Sequence, residues 1–223
     1  MAGKSILDLL CEKCEGLDGL DEIIIVTNAK FFEQLKSWEK KAGRRVPARI
    51  LSDGTLSNET RIGAIGDLQF AIKNLELDSD ILMLASDNLF DSDLSVFIDF
   101  CRSKADKVCV GLYDIKDPGL ASGKYGVLEI NSSSEIIGME EKPQKPKTSL
   151  IGMGVYYFSK GTLPFVGEYL GGAEAKDAPG HYVRWLMKKT KIFGFVFSGM
   201  WFDIGDMKAL EEAGKHFDLK SKI

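Results

Sequence analysis

The sequence predicts an α/β protein in which helices flank a mainly parallel sheet. Short apolar, β-branched runs such as 22–27 and 80–85 alternate with segments whose apolar residues recur at helical spacing. Strands that are separated by helices usually pair in parallel through right-handed crossovers. After Pro118 the rhythm changes, because short strands follow one another with only turn residues between them. The second half therefore adds a β-rich lobe to the sheet.

Each element of the first half is supported by its own residues. Ser5 is a suitable N-cap for the first helix, and Phe31, Leu35 and Trp38 recur at helical spacing in the second. The β-branched run before Asn28 is typical of a buried strand. In chain order we expect helix 5–16, strand 22–27, helix 30–41, strand 46–51, helix 63–75, strand 80–85, helix 94–104 and strand 107–113.

The second half is expected to mix short strands with three helices. Turn residues separate the strands, and Pro179 and Gly180 open one of the helices. In chain order we expect strands 125–130, 135–139 and 150–158, helices 160–170 and 180–189, strand 192–198 and helix 206–218. We expect one domain with two halves, 1–117 and 118–223.

Composition excludes several classes of protein. The 223 residues are 44% hydrophobic and 28% charged, which is ordinary for a globular domain. The formal net charge of -4 argues against a nucleic-acid binder, which usually has a basic excess. No apolar run reaches the length of a membrane span, and the first residues lack the apolar stretch of a signal peptide. We therefore expect a cytoplasmic protein that binds neither nucleic acid nor membrane.

Two acidic motifs that are far apart in the sequence predict a metal site. The apolar run 80–85 indicates a strand buried on both faces, which places Asp87 at its carboxyl end, where open α/β sheets bind ligands. Asp203 lies in the second motif, 201–206. Mg²⁺ usually takes one or two carboxylates and completes its shell with water and phosphate oxygens. We expect Asp87 and Asp203 to converge on one Mg²⁺ in a protein that handles phosphate esters.

Five motifs follow one another in order along the chain. They are Asp87-Asn88 after a strand, Tyr125-Gly126-Val127, Glu140-Glu141-Lys142-Pro143, the segment 152–158, and Trp201-x-Asp203-x-Gly205. In this order they resemble the sugar-phosphate nucleotidylyltransferases, the group that includes the glucose-1-phosphate thymidylyltransferases. The resemblance runs from about Ala2 to the C-terminus. It implies a Rossmann-like fold of the nucleotide-diphospho-sugar transferase type with a small β-rich sugar-binding lobe. The half at 1–117 would then bind the nucleotide, and the half at 118–223 would bind the sugar and supply the second metal carboxylate.

The resemblance also implies a reaction, in which a nucleoside monophosphate passes from a nucleoside triphosphate to a sugar-1-phosphate with release of pyrophosphate and dependence on Mg²⁺. Asp87, Asp203 and Lys142 would be catalytic, the two carboxylates as metal ligands and Lys142 as a point charge for a phosphate. Glu141 would accept hydrogen bonds from two sugar hydroxyls. The substrate-binding residues that it implies are Asn88, Tyr125, Gly126, Glu141, Lys142, Gly152, Gly63 and Trp201.

The main departure of the chain from the family lies at its beginning. The family's first strand and the glycine-rich loop that surrounds the triphosphate have no counterpart, because the first residues match the segment that follows them. We therefore expect a sheet without that strand, and losing such a preorganised charge costs on the order of 10²-fold in rate. Two hypotheses account for the missing strand and loop. The chain is a truncated active enzyme, or it is a natural chain that binds sugar phosphate or sugar nucleotide without turnover. A third hypothesis is a glycosyltransferase, but the motif Glu140-Glu141-Lys142-Pro143 argues against it.

The sequence does not identify the nucleotide base or the sugar that the chain would recognise. The loop 53–66 lies where the family reads the base, and Gly63 would let a helix N-terminus approach the nucleotide. The family's glutamine is absent from this loop. Asn58 or Arg61 could take its role, and a helix-capping loop is an equal alternative. The stretch 177–182 would lie near the sugar pocket. A second copy of the chain could supply the missing strand, so a homo-oligomer is one expectation.

Overall fold

The computed structural model describes residues 4–41, 43–57, 59–104, 106–172 and 178–220. Within them the helices are α1 (Ile6–Glu15), α2 (Phe32–Lys41), α3 (Gly63–Leu75), α4 (Leu94–Arg102), α5 (Pro164–Gly171), α6 (Pro179–Leu186) and α7 (Met207–Lys220). The strands are β1 (Ile23–Thr27), β2 (Ala48–Ser52), β3 (Ile81–Leu84), β4 (Asn88–Phe90), β5 (Val108–Asp114), β6 (Val127–Ile130), β7 (Ile136–Glu140), β8 (Leu150–Phe158), β9 (Ile192–Phe197) and β10 (Trp201–Asp203). Every predicted element has a counterpart, and β4 and β10 are additions. None of the described helices combines the length and the apolar character that crossing a membrane requires.

The first helix begins at the predicted cap. The Oγ atom of Ser5 accepts a hydrogen bond from the backbone N–H of Asp8 at 3.1 Å, and the Asp8 carboxylate accepts one from the Ser5 N–H at 2.9 Å. This reciprocal capping box satisfies two amides that would otherwise lack partners. The other Asp8 oxygen accepts hydrogen bonds from Trp38 and Arg44, each at 2.9 Å. These bonds tie the start of α1 to α2 and to the segment before β2.

The central sheet confirms the α/β class and has six strands of mixed direction. Its order is β7-β6-β8-β5-β9, and β3 pairs with the remaining part of β8. Because β8 runs antiparallel to β3, β5 and β6, those three strands share one direction, and β9 joins them as the parallel neighbour of β5. Four of the six strands, β3, β5, β6 and β9, therefore run in one direction, as a mainly parallel sheet requires. The long strand β8 lies between β3 and β5 and runs in the opposite direction.

Helices cover both faces of this sheet, as the alternation along β5 requires. Val108, Val110 and Leu112 belong to one core cluster, which includes residues of α3, α5 and α6. Cys109 points to the other face and belongs to a second cluster, with residues of α1, α4 and α7. This period of two is what a strand covered on both faces must show. Strands from both predicted halves share the sheet, since β3 and β5 pair with β8.

The four cysteines are core residues. All four are buried with free thiols, and three of them, Cys14, Cys101 and Cys109, lie in the second core cluster. Burial raises the pKa of the Cys11 thiol to about 11 and that of the Cys14 thiol to about 12. Because the reactive form of cysteine is the thiolate, the CxxC spacing in α1 marks an apolar helix face.

Strands β1 and β3 each have one open edge in the described chain. β1 pairs in parallel with β2 only, as a separate two-stranded sheet, and β3 pairs with β8 only. We expected both strands to be buried, but every residue of both is only partly buried. The sequence could not show this, because an apolar run predicts a strand without showing how many neighbours it has.

Hydrogen exchange measured by NMR should reveal the open edge of β1. The N–H of Ile23 donates to the carbonyl of Pro47 on the β2 side at 2.8 Å. Successive amides of a strand point to opposite edges, so those of Ile24 and Val26 point away from β2. We expect the latter two to exchange at least roughly tenfold faster than Ile23 and Ile25. The central strand β5, paired on both edges, is the control, and equal protection along β1 would show that its outer edge is covered.

Candidate active site

A cavity of about 560 Å³ opens beside the end of β3 and the first turns of α3 and α6. This volume falls within the range of small-molecule sites, roughly 300–1,000 Å³. All of the residues predicted from the sequence line it: Gly63, Asp87, Asn88, Tyr125, Gly126, Glu141, Lys142, Gly152, Trp201 and Asp203. The structure therefore brings together residues from six separate parts of the chain, and their chemical roles remain predictions.

Asp87 and Asp203 are brought together by the pairing of two very short strands. β4 begins directly after Asp87 and runs antiparallel to β10, so that Asn88 lies opposite Asp203. The N–H of Ile204 donates to the Asp87 carbonyl at 2.7 Å. Burial and the negative charge of Asp87 raise the pKa of Asp203, while a hydrogen bond from Tyr125 and the charge of Lys142 lower it. An exposed carboxylate, Asp87, thus lies close enough to the partly buried carboxylate of Asp203 for the two to repel each other.

An aromatic wall borders this carboxylate pair. The ring of Trp201 meets the edge of Tyr125 with centroids 5.4 Å apart and packs against Tyr113 at 5.5 Å. Its Nε1–H donates to the Oδ1 atom of Asn88 at 2.9 Å, and the Asn88 amide donates to an Asp87 carboxylate oxygen at 2.6 Å. Trp201 and Asn88 therefore fix the orientation of the Asp87 side chain.

Glu141 lies against the first turn of α6. It follows the end of β7, and its Oε2 atom occupies space that a side chain at either Gly126 or Gly180 would need. A Cβ at Gly180 would lie 1.9 Å from this oxygen and 2.3 Å from the Cε atom of Met139. Burial raises the pKa of Glu141, and the charges of His181, Lys142 and Arg184 oppose that shift. Glycine at 180 is thus what lets the carboxylate reach the helix terminus.

Lys142 connects the two acidic parts of the cavity. Its charge lowers the pKa of both Asp203 and Glu141. Its backbone has a φ of +47°, a left-handed conformation that residues other than glycine adopt rarely and that recurs at functional sites. This exposed ammonium group is therefore close enough to act on both carboxylates.

The loops that we expected to read the base and to lie near the sugar pocket are only partly described. Gly63 and Arg61 line the cavity at the start of α3, while Asn58 and Asp177 lie outside the described residues. Pro179 and Gly180 do line the cavity, and His181 acts electrostatically on Glu141. The segment that we expected near the sugar pocket thus adjoins the cavity as far as it is described.

Asp67 and Tyr156 are two titratable residues of the cavity that were not predicted as site residues from the sequence. Asp67 lies four residues after Gly63 on α3, and burial together with the charge of Asp53 raises its pKa to about 6. Burial, with smaller effects from Glu141 and Asp87, raises the pKa of Tyr156 on β8. A carboxylate on the same helical face as Gly63 was a signal for the first of these residues. Tyr156 lies within the motif 152–158, but nothing in the sequence distinguishes it there from the other apolar residues of the strand.

Comparison with known proteins gives relatives along the whole chain. A family model described as Nucleotidyl transferase matches residues 1–219. The bifunctional protein GlmU of Methanocaldococcus jannaschii is 28% identical over 234 aligned positions, which cover 100% of this chain and 50% of that protein. A glucose-1-phosphate adenylyltransferase of Bacillus cytotoxicus is 30% identical over 139 residues, 60% of this chain and 36% of the enzyme. The chain spans half the length or less of these two curated relatives.

Solved structures share the fold. UDP-glucose pyrophosphorylase complexed with UDP-glucose superposes with a TM-score of 0.80 at 16% identity, covering 97% of this chain and 88% of that one. A protein described as a glucose-1-phosphate thymidylyltransferase of Bacillus anthracis, in complex with sucrose, gives a TM-score of 0.72 at 20% identity, covering 93% and 80%. Both neighbours confirm the α/β architecture.

Substitution of Gly180 tests how Glu141 is held. Gly180→Ala places a methyl group against the Glu141 carboxylate and Met139, so one of them must move. We expect the free energy of unfolding, measured with urea, to fall by about 1–3 kcal/mol. Gly171→Ala is the matched control, because a Cβ there meets nothing within 4 Å. Equal stability of the two variants would show that the contact between Gly180 and Glu141 is absent.

Asp67→Asn should stabilise the protein at about pH 8 and leave it unchanged near pH 4. The raised pKa, about 6 against an ordinary 3.8, means that near pH 5 the folded protein holds a proton that the unfolded chain has released. The contribution of Asp67 to the free energy of unfolding is therefore greatest below about pH 4 and is lost as pH rises through 6. An uncharged amide avoids this loss, so Asp67→Asn should raise the free energy of unfolding at pH 8 by about 1–2 kcal/mol. Urea unfolding at pH 4 and pH 8 measures the effect.

The matched control for this substitution is Asp99→Asn, which changes an exposed carboxylate on α4. It should alter the free energy of unfolding equally little at both pH values. If Asp67→Asn changes the free energy of unfolding equally at pH 4 and at pH 8, burial does not raise the pKa of Asp67.

Proposed function

The chain belongs to the nucleotidyl transferase family, and we propose that it transfers a nucleoside monophosphate from a nucleoside triphosphate to a sugar-1-phosphate, releasing pyrophosphate. The observation that carries this proposal is one cavity with two different parts. Asp87 and Asp203 lie together in one part, and Glu141 lies against α6 in the other, with Lys142 acting on both. Relatives named glucose-1-phosphate adenylyltransferase and UDP-glucose pyrophosphorylase support a reaction of this class.

The carboxylate pair fits a Mg²⁺ ion. Asp87 raises the pKa of Asp203, after the larger effect of burial, so a divalent cation between them would relieve a repulsion that the protein otherwise sustains. Their hard oxygen ligands suit Mg²⁺, which needs only one or two carboxylates. In the described part of the chain no larger cluster of His, Cys, Asp or Glu could hold a metal. When bound, Mg²⁺ would supply neutralisation of negative charge on phosphate oxygens.

Glu141 and Lys142 suit the sugar-1-phosphate. A carboxylate accepts two hydrogen bonds side by side, which matches neighbouring sugar hydroxyls, and Gly126 and Gly180 leave room beside it. An ammonium group is a compact charge that suits a phosphate. The aromatic rings of Tyr125 and Trp201 give this part of the cavity an apolar wall, against which a sugar face can pack.

Positioning is the main contribution of these residues to the reaction. Lys142 would hold an oxygen of the sugar-1-phosphate towards the α-phosphorus of the triphosphate. That oxygen attacks, the bond from the α-phosphorus to the bridging oxygen breaks, and pyrophosphate leaves with the electron pair. The hydrogen bond from Tyr125 lowers the pKa of Asp203 and so favours the ionised carboxylate throughout.

Binding without turnover is the second candidate. Among the described residues, the cationic side chains that line the cavity are those of Arg61, Lys124 and Lys142. Within the described chain, β1 pairs only with β2 and β3 pairs only with β8, so the two-stranded sheet of β1 and β2 and the six-stranded sheet are not joined. A cavity of this kind could bind a sugar phosphate or a sugar nucleotide without aligning the triphosphate for attack.

Substitution of Asp203 tests the site. Asp203→Asn should remove the dependence of nucleotide binding on Mg²⁺, and lower pyrophosphate release on the order of 10²-fold or more, because one of two metal ligands becomes neutral. Binding is measured by calorimetry with and without Mg²⁺, and release with each nucleoside triphosphate in the presence of a sugar-1-phosphate. Asp99→Asn, on α4, is the control. A Mg²⁺ dependence identical to that of the unmodified protein would remove Asp203 from the site.

The same assays separate the two candidates. Pyrophosphate release that requires both substrates supports the transferase. Sugar-nucleotide binding that depends on Glu141 and Asp203 but gives no release supports the binding protein.

A further inference from the structure

Asp67 is a charged cavity residue that the proposed reaction does not use. It lies on α3 one turn after Gly63, and Arg61 and Ala64 line the same part of the cavity. Its Oδ1 atom is buried and has no hydrogen-bond partner in the described chain. Buried polar atoms without partners are rare in folded proteins, and each requires an explanation. In a ligand cavity, the simplest explanation is a partner that arrives with the ligand.

The chemistry of a carboxylate limits what that ligand part can be. An ionised carboxylate only accepts hydrogen bonds, and it can accept from two donors that lie side by side. It also repels phosphate, and Asp53 adds further negative charge beside it. The phosphates of a bound nucleotide would therefore be directed away from Asp67, towards Asp87 and Asp203, which would hold the proposed Mg²⁺. The start of α3 is left for the nucleoside.

We propose that Asp67 recognises the nucleoside of the bound nucleotide by accepting hydrogen bonds from two adjacent donors. The proposal rests on the proposed function, since it requires a nucleoside triphosphate in this cavity. Two parts of a nucleotide offer such donors: the 2′- and 3′-hydroxyls of ribose, and the N1–H and N2–H groups of guanine. Adenine and uracil place an acceptor beside the donor on the corresponding edge, and a carboxylate repels that acceptor. Asp67 thus selects either ribonucleotides or guanine.

Nucleotide binding by variants of Asp67 tests the proposal. Calorimetry with Mg²⁺ and without sugar phosphate compares GTP, ATP and UTP with their 2′-deoxy counterparts. We expect Asp67→Asn and Asp67→Ala to weaken binding of the preferred nucleotide roughly 10- to 100-fold, which is the effect of losing hydrogen bonds to a charged acceptor. The other nucleotides should bind nearly as before, and the control Asp99→Asn should keep the full preference.

The pattern of loss identifies the donors. Loss of discrimination between ribose and deoxyribose assigns Asp67 to the sugar hydroxyls, and loss of a GTP preference assigns it to the base. Equal affinities of Asp67→Asn and the unmodified protein for every nucleotide would overturn the proposal while leaving the proposed function intact. If the unmodified protein binds no nucleotide, the proposed function fails and this proposal fails with it. Thermal unfolding of Asp67→Asn, expected to be no easier at pH 8, separates lost recognition from lost folding.

Discussion

The pairing of β4 with β10 is the interaction on which the candidate site depends. Each strand has three residues, yet their register places Asp203 opposite Asn88 and beside Asp87. Two carboxylates that repel each other do not come together by themselves, so the surrounding structure must hold them. Leu89 and Phe90 of β4 are almost completely buried in the core cluster that also includes Ala213 of α7. Hydrophobic burial behind the pair offsets the electrostatic cost in front of it.

The C-terminal helix contributes to the same support. His216 of α7 contacts the carboxylate of Asp91, one residue after β4, at 2.9 Å, and the other oxygen of Asp91 accepts a hydrogen bond from the N–H of Met200 at 2.8 Å. Asp91 therefore links the residue before β10 to the helix that follows it. The ring of His216 also packs against Phe202 of β10, with centroids 5.5 Å apart. The candidate metal ligands are thus attached to the core from behind on both strands.

The distribution of charge gives the cavity a direction. Acidic groups line it at the β4–β10 pair, at the first turn of α6 and at the start of α3. Lys142 lowers the pKa of the carboxylates at the first two places, whereas burial and the negative charge of Asp53 raise the pKa of Asp67 at the third. The phosphates in the middle of an extended ligand would lie near the proposed cation and the ammonium group of Lys142. The two ends of that ligand would lie near carboxylates, which accept hydrogen bonds. Fold and cavity polarity therefore agree with a nucleotide and a sugar phosphate lying end to end.

The sequence by itself determined the helices and the longer strands, because the period of apolar residues is a local property. The order of five motifs, and the family that they resemble, indicated the residues that line the cavity. The sequence did not reveal β4 and β10, since three residues are too few to show a period, nor that β1 and β3 are only partly buried, since burial depends on neighbours. It also passed over Asp67 and Tyr156. Only the tertiary structure decided how Asp87 and Asp203 are held together, which strand edges stay open in the described chain and which buried oxygen lacks a partner there. These depend on distances between segments remote in sequence, which packing and strand pairing set.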